Sequence, residues 1–267
     1  MRNCVFPDIT GKYHRQFVGK RSRMLLRRCC ASTKTWLLAL LLLPFTALSS
    51  EKLLIVTEEW APYNYTNEAG EIVGLATENI KKIMALAGMD YDLRVLPWSM
   101  AYTLTQKKSN VMLYTIYRTK ERERKFQWVC PIISSGGIKA YKLSKRQDIR
   151  AAILSDLKKY NIAVSNKNVQ YEYLIAQGFR PGIDLDITTT TDASLRLLLL
   201  GRVDVIMQED AAIKARLHQL NQPNDIVTPV MTILPDTVEK CAAFSRSTSP
   251  KIIERLTKAV NQLAVSG

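Results

Sequence analysis

The sequence predicts an α/β protein with two lobes, each built on a mainly parallel sheet. Three observations carry this. Short apolar runs alternate with helical patterns of about 10–15 residues, the rhythm of βαβ units. The arrangement occurs twice along residues 51–267. Low-complexity tracts and long linkers are absent, and the Gly-rich stretch "SSGGIKAY" (134–141) is the natural point of passage from one unit to the other.

The elements follow in order. "KLLIVT" (52–57) is a short apolar strand ending at polar "EEW". "ATENIKKIMALAG" (76–88) has apolar residues at helical spacing, with Gly88 as its stop. "YDLRVLP" (91–97) alternates like a half-buried strand, "WSMAYTLTQKK" (98–108) reads as a helix and "NVMLYTI" (110–116) as a strand. The second unit opens with a predicted helix over 146–160, then strand 161–165, helix 169–178 and strand 183–189. A helix over 192–201, capped by Thr191 or Asp192 and closed by Gly201, leads to strand 203–208 and helix 209–220. "STSPKIIERLTKAVNQLA" closes the chain, with Ser249 as N-cap and Pro250 at the first helical position.

Composition is that of a globular protein, with 47% hydrophobic and 23% charged residues. The formal charge of +14 is unevenly spread. Residues 1–50 hold nine Lys/Arg against one acid, Asp8, and the rest hold 29 bases against 23 acids. That mild excess over a large domain gives no footprint for nucleic acid. The N-terminal charge belongs to something else. Arg21, Arg23, Arg27 and Arg28 precede the apolar "WLLALLLLPFTAL" (36–48), which exits through Ala47, Ser49 and Ser50. A basic region, a short apolar core and small residues make a cleavable secretory signal, and a membrane span needs about 20 apolar residues. Residues 1–49 are thus expected to direct export to the periplasm and be removed. A start at Met24 would give that signal an ordinary length. Cys130 and Cys241 remain, either as a disulfide or as two buried free thiols.

The chemistry available favours binding over catalysis. After removal of the signal the chain has one histidine, His218, which reads as a solvated surface residue. HExxH, GxSxG, paired CxxC and GxxxxGK[ST] motifs are all missing, and no cofactor is implied. Acid pairs at 58–59 and 209–210 leave a carboxylate-dependent enzyme open as a second reading. In open α/β sheets ligands gather beyond the carboxyl ends of the strands. Three such ends carry suitable groups: Glu58, Glu59, Trp60 and Tyr63; Tyr117, Arg118 and Arg122; Gln208, Glu209 and Asp210. Aromatic walls with a guanidinium and a carboxylate suit a small zwitterion or acid, because arginine pairs with a carboxylate through two parallel hydrogen bonds.

At these residues the sequence resembles the family 3 periplasmic solute-binding proteins, the two-lobed receptors of polar amino acid ABC importers. The matching stretches are "TEEWAPYNYTNEAGEIVGL" (57–75), "PW" (97–98), "RTKERERKFQWVCPI" (118–132), "NIAV" (161–164) and "LLLLGRVDVIMQED" (197–210). The resemblance implies a type II periplasmic-binding-protein fold with a two-strand hinge. Lobe one would hold 51–134 plus 240–267 and lobe two 135–239, with crossings after Pro131 and around "CAAFS" (241–245). That layout brings Cys130 near Cys241 and suggests a disulfide at the hinge.

It also implies a ligand set. The [S/T]-x-[E/D]-R pattern of the family's carboxylate anchor falls on Thr119-Lys120-Glu121-Arg122, leaving Arg118, Arg124 and Lys125 mainly solvated. Trp60 would be the aromatic wall, Glu209 the acid that holds an α-ammonium, and Tyr117 a residue that narrows the pocket. Glu58 and Thr115 complete lobe one's share, and Asn166 and Asn168 lobe two's. The loop Asn166-Lys167-Asn168-Val169 departs from the family's glycine-serine-threonine loop. The stop at Gly267, where relatives continue, suggests truncation or an incomplete lobe one. The expected function is a monomeric receptor that closes on a small polar ligand, an amino acid or related carboxylate, for an ABC permease. A sensing module for a membrane partner and a dehydratase on the same fold are the alternatives.

Overall fold

The computed structural model describes residues 52–266; the expected signal segment and the start at Met24 lie outside the described residues. β1 (Leu53–Thr57) is followed by a small hairpin of β2 (Tyr65–Thr66) and β3 (Ile72–Val73). α1 (Leu75–Ala87) buries Ala76, Ile80, Ile83, Met84 and Ala87, spaced three and four apart as one helix face requires. It ends at Gly88, whose left-handed φ of 57° lets its N–H reach back to Ala85. Then come β4 (Tyr91–Val95), α2 (Trp98–Lys107), β5 (Val111–Tyr117), the single turn α3 (Lys120–Glu123) and β6 (Gln127–Ile133).

The second unit holds β7 (Ile138–Leu143), β8 (Ile162–Ser165), α4 (Val169–Ala176), β9 (Leu185–Thr188) and α5 (Thr191–Leu199). β10 (Val205–Gln208), α6 (Asp210–Gln219) and β11 (Val227–Leu234) complete it. β12 (Lys240–Phe244) and α7 (Pro250–Ser266) return to the first.

Two five-stranded sheets result, in the orders β4-β1-β5-β12-β6 and β11-β7-β10-β8-β9. Each has a parallel half, β4-β1-β5 and β10-β8-β9, as the βαβ rhythm requires, but each sheet is mixed where a mainly parallel one was expected. The other half of each is antiparallel, because β6, β7, β11 and β12 lie either side of the passages between the sheets. The chain crosses once between β6 and β7 and once between β11 and β12. "CAAFS" therefore lies inside the first sheet, and the second crossing precedes it, at 235–239. In the first sheet Met112 and Tyr114 pack with Ile80 and Met84 of α1 and Leu256 of α7, while Val111 and Leu113 face Ala101 and Tyr102 of α2. α5 and α6 cover the second sheet through Leu195, Leu198, Ile213 and Leu217.

Two further expectations are corrected. The helix predicted over 146–160 shrinks to a 3₁₀ turn at Leu154–Lys159. Local polar bonds hold the preceding stretch away from helix: the buried Lys142 ammonium donates to the carbonyls of Arg146 and Ile149, and Asp156 accepts the N–H groups of Ala152 and Ile153. The cap of α5 is Thr190, one residue early, its hydroxyl accepting the N–H of Ala193 at 3.2 Å. Among the described residues no helix is long and apolar enough to cross a membrane.

Candidate functional site

The carboxyl ends of β1, β5 and β10 meet the start of α4 around a small inter-lobe cavity of about 30 Å³. The first lobe supplies Glu58, Trp60, Trp98, Thr115, Tyr117 and Arg122, and the second Asn168, Gln170, Thr191 and Gln208. That volume holds on the order of one or two water molecules, less than a ligand of amino-acid size occupies.

Local structure fixes each wall. The loop after β1 is clasped by Trp60 N–H donating to the Asn64 carbonyl at 2.6 Å and by Ala76 N–H donating to that of Tyr63 at 2.9 Å. Gly74 is required at this approach: a Cβ there would lie 2.5 Å from the Tyr63 carbonyl oxygen, and its φ is 118°. Thr115 is the extra residue of a β-bulge, since Cys241 pairs with Ile116 and Ala242 with Tyr114. Its φ of 63° is rare for a β-branched residue, and such strain gathers at functional sites. Asn168 caps α4 by accepting the N–H of Tyr171 at 2.7 Å.

Arg122 is fully buried at 0% exposure. Its Nε donates to Glu172 at 2.6 Å and a terminal nitrogen donates to the Lys167 carbonyl at 3.1 Å, both across the cleft. Its guanidinium carbon lies 5.4 Å from the ring centres of both Trp98 and Tyr102. The other cations of "RTKERERK" are spent at the surface: Arg118 pairs with Glu123 at 2.7 Å, and Lys120, Arg124 and Lys125 are exposed. Three polar atoms of cavity-lining residues, Thr115 Oγ1, Tyr117 OH and Gln208 Oε1, are buried without a partner, a costly condition that a polar ligand relieves.

Of the eight residues expected at the site, Arg122, Trp60, Glu58, Tyr117, Thr115 and Asn168 line this cavity. Two do not. Asn166 is exposed and lines an outer groove with Ser99, Met100 and Lys167, because its loop turns outward before α4. Glu209 is buried at 0% and does not itself line the cavity; it follows the lining residue Gln208, and Tyr63 OH and the Lys240 ammonium, 2.9 Å away, donate to its Oε2. Trp98, Glu172 and Lys240 were not expected at the site. Each had a signal: Trp98 opens a helix directly after a strand as "PW", Glu172 interrupts an aromatic helix face in "YEY", and Lys240 opens a strand otherwise apolar.

Burial pushes the Glu58 carboxyl up to about 8, against the lowering pull of Arg122 and Arg216. The fold thus keeps a proton that the unfolded chain releases near 4.5. Stability from this group is present at low pH and is lost as pH rises from about 5 to 8, by at most about 1.4 kcal/mol per pH unit. Thermal melts of wild type and Glu58→Gln across that range should diverge, the variant losing less stability as pH rises. Parallel curves would contradict the shift.

The bacterial extracellular solute-binding proteins, family 3, match residues 53–267. A Haemophilus influenzae protein named "Probable amino-acid ABC transporter-binding protein" is 24% identical over 143 residues, 51% of this chain. The match spans 56% of that relative's length. The fold resembles a histidine kinase sensor domain with similarity to periplasmic binding proteins, at TM-score 0.71 and 20% identity, covering 81% of this chain and 92% of that one. It also resembles an ancestral arginine-binding protein bound to arginine, at TM-score 0.70 and 18% identity, covering 80% and 92%. A third is the arginine-, lysine-, histidine-binding protein ArtJ from Geobacillus stearothermophilus, at 0.68 and 23%, covering 81% and 91%. With nearly all of the described chain matched and the two-lobed architecture shared, this protein belongs to the bacterial extracellular solute-binding proteins, family 3.

Proposed function

We propose that the protein is a periplasmic receptor that closes on a small polar carboxylate, an amino acid or a related acid, and delivers it to the permease of an ABC importer. The observation that carries this reading is the inter-lobe cavity, where the buried Arg122 guanidinium stands beside three unpartnered polar atoms. The importer partner is supported by the name of the Haemophilus influenzae relative. In this reading residues 51–134 with 240–267 and residues 135–239 move as the two lobes. The open form receives ligand on Trp60, Tyr117 and Arg122, and closure adds Asn168 and Gln208. Ligand shifts the open–closed balance only by its differential affinity for the closed form. The receptor acts as a monomer and returns its ligand unchanged.

A thermal-shift screen of amino acids, small carboxylates and polyamines, followed by calorimetry, tests this. The tightest carboxylate should bind Arg122→Ala at least tenfold more weakly, a cost of about 1.4 kcal/mol or more. An unchanged dissociation constant would remove Arg122 from the ligand, and consumption of the ligand would replace a receptor by an enzyme.

A further inference from the structure

Glu58 apart, the charges around the cavity are paired within the chain. Arg122 pairs with Glu172, Lys240 with Glu209, and Arg216 with Asp192 at 2.5 Å. These pairs differ in how readily they can be exchanged. The Glu172 side chain is 18% exposed and has a second cation, the 41% exposed Lys125, at 3.6 Å. It can turn toward water and Lys125, freeing Arg122 for a ligand carboxylate. Glu209 and Lys240 have no such route, both side chains being 0% exposed.

The Lys240 ammonium sits in an aromatic cage, 3.5 Å from the ring centre of Tyr63, 5.1 Å from Trp60 and 5.9 Å from Tyr117. Such rings attract a cation, and Trp60 and Tyr117 are the same rings that wall the cavity. The pair also stands beside both crossings between the sheets. Lys240 follows the second crossing directly, and Gly136, on the first, is packed so close that a Cβ there would lie 3.2 Å from Glu209 Oε2. Glu209 Oε1 is unpartnered, but the negative charge of that carboxylate is already balanced by Lys240.

We propose that Lys240 is a specificity-determining residue: its own ammonium fills the place against Glu209, which fits the cleft to small carboxylic acids lacking an α-amino group. This rests on the receptor reading above and narrows it. A ligand ammonium would find no free buried anion, and one beside Glu58 would face the guanidinium groups of Arg122 and Arg216. A hydroxyl is neutral and both donates and accepts, which suits Gln208 Oε1, Thr115 Oγ1 and Tyr117 OH.

The test is calorimetry of the purified protein with matched pairs: lactate and alanine, malate and aspartate, 2-hydroxyglutarate and glutamate. On the carbon skeleton that binds best, the hydroxy acid should bind at least tenfold more tightly than the amino acid. In Lys240→Met, which frees Glu209 to meet a ligand ammonium, that ratio should fall at least tenfold. If that variant does not fold, Lys240→Gln, which keeps a hydrogen-bond donor beside Glu209 but removes the ammonium, takes its place, and its ratio should also fall at least tenfold. Equal or tighter binding of the amino acid by wild type overturns the inference while leaving the receptor intact. So does an unchanged ratio in whichever variant folds. Binding of no member of either series overturns the inference, while the receptor reading stands or falls by the broader thermal-shift screen above.

Discussion

Lys240→Met is expected to lower the free energy of unfolding by about 3–5 kcal/mol, the usual cost of stranding one member of a buried ion pair. Desolvation pulls the Lys240 ammonium below its ordinary range, and the charge and hydrogen bond of Glu209 oppose that pull. Removing the ammonium leaves a carboxylate at 0% exposure with Tyr63 OH as its remaining donor and Oε1 unpartnered. Surface pairs such as Lys81–Glu78, 40% and 54% exposed, are worth at most about 1 kcal/mol by comparison. Lys240→Met/Glu209→Gln removes both charges and should recover most of the loss. Urea unfolding of the two variants beside wild type decides it. If both are equally destabilised, the cost lies in packing within the aromatic cage and the stranded charge is not its cause.

The sequence made the alternating half of each lobe legible, because strand and helix periods are local. β1, α1, β4, α2 and β5 follow from residues 52–117 read on their own, as do β8, α4, α5, β10 and α6 from the second unit. β6, β7 and β11 were not legible, since they are defined by the antiparallel neighbours they meet after a crossing. The 146–160 stretch has helical composition yet is claimed by tertiary bonds from Lys142 and Asp156. The site divides the same way. Glu58, Trp60, Thr115, Tyr117 and Arg122 sit at strand ends or in the turn after one, where a cavity-facing position can be inferred from sequence order. The partners Glu172 and Lys240 are set by contacts 50 and 31 residues away in the chain, which no local pattern specifies.

Reducing the disulfide, or replacing both Cys130 and Cys241 by alanine, should cost about 2–5 kcal/mol of stability. The bond joins β6 to β12, the strands on either side of the two crossings, and its 111-residue separation encloses the entire second sheet. In the chain-entropy view a closed loop of about 100 residues removes about 4.7 kcal/mol of freedom from the unfolded state. Both ends lie in the first sheet, so the bond ties the point where the chain leaves that lobe to the point where it returns. It should therefore stabilise the fold without holding the cleft shut: reduction would lower the midpoint of urea unfolding while ligand affinity below that midpoint stayed within about twofold. Alkylation without reductant should leave the peptides carrying Cys130 and Cys241 unlabelled. Labelled peptides would mean free thiols, and a large loss of affinity on reduction would mean that the bond shapes the binding site itself, through the β5 bulge that pairs with Cys241 and sets Thr115.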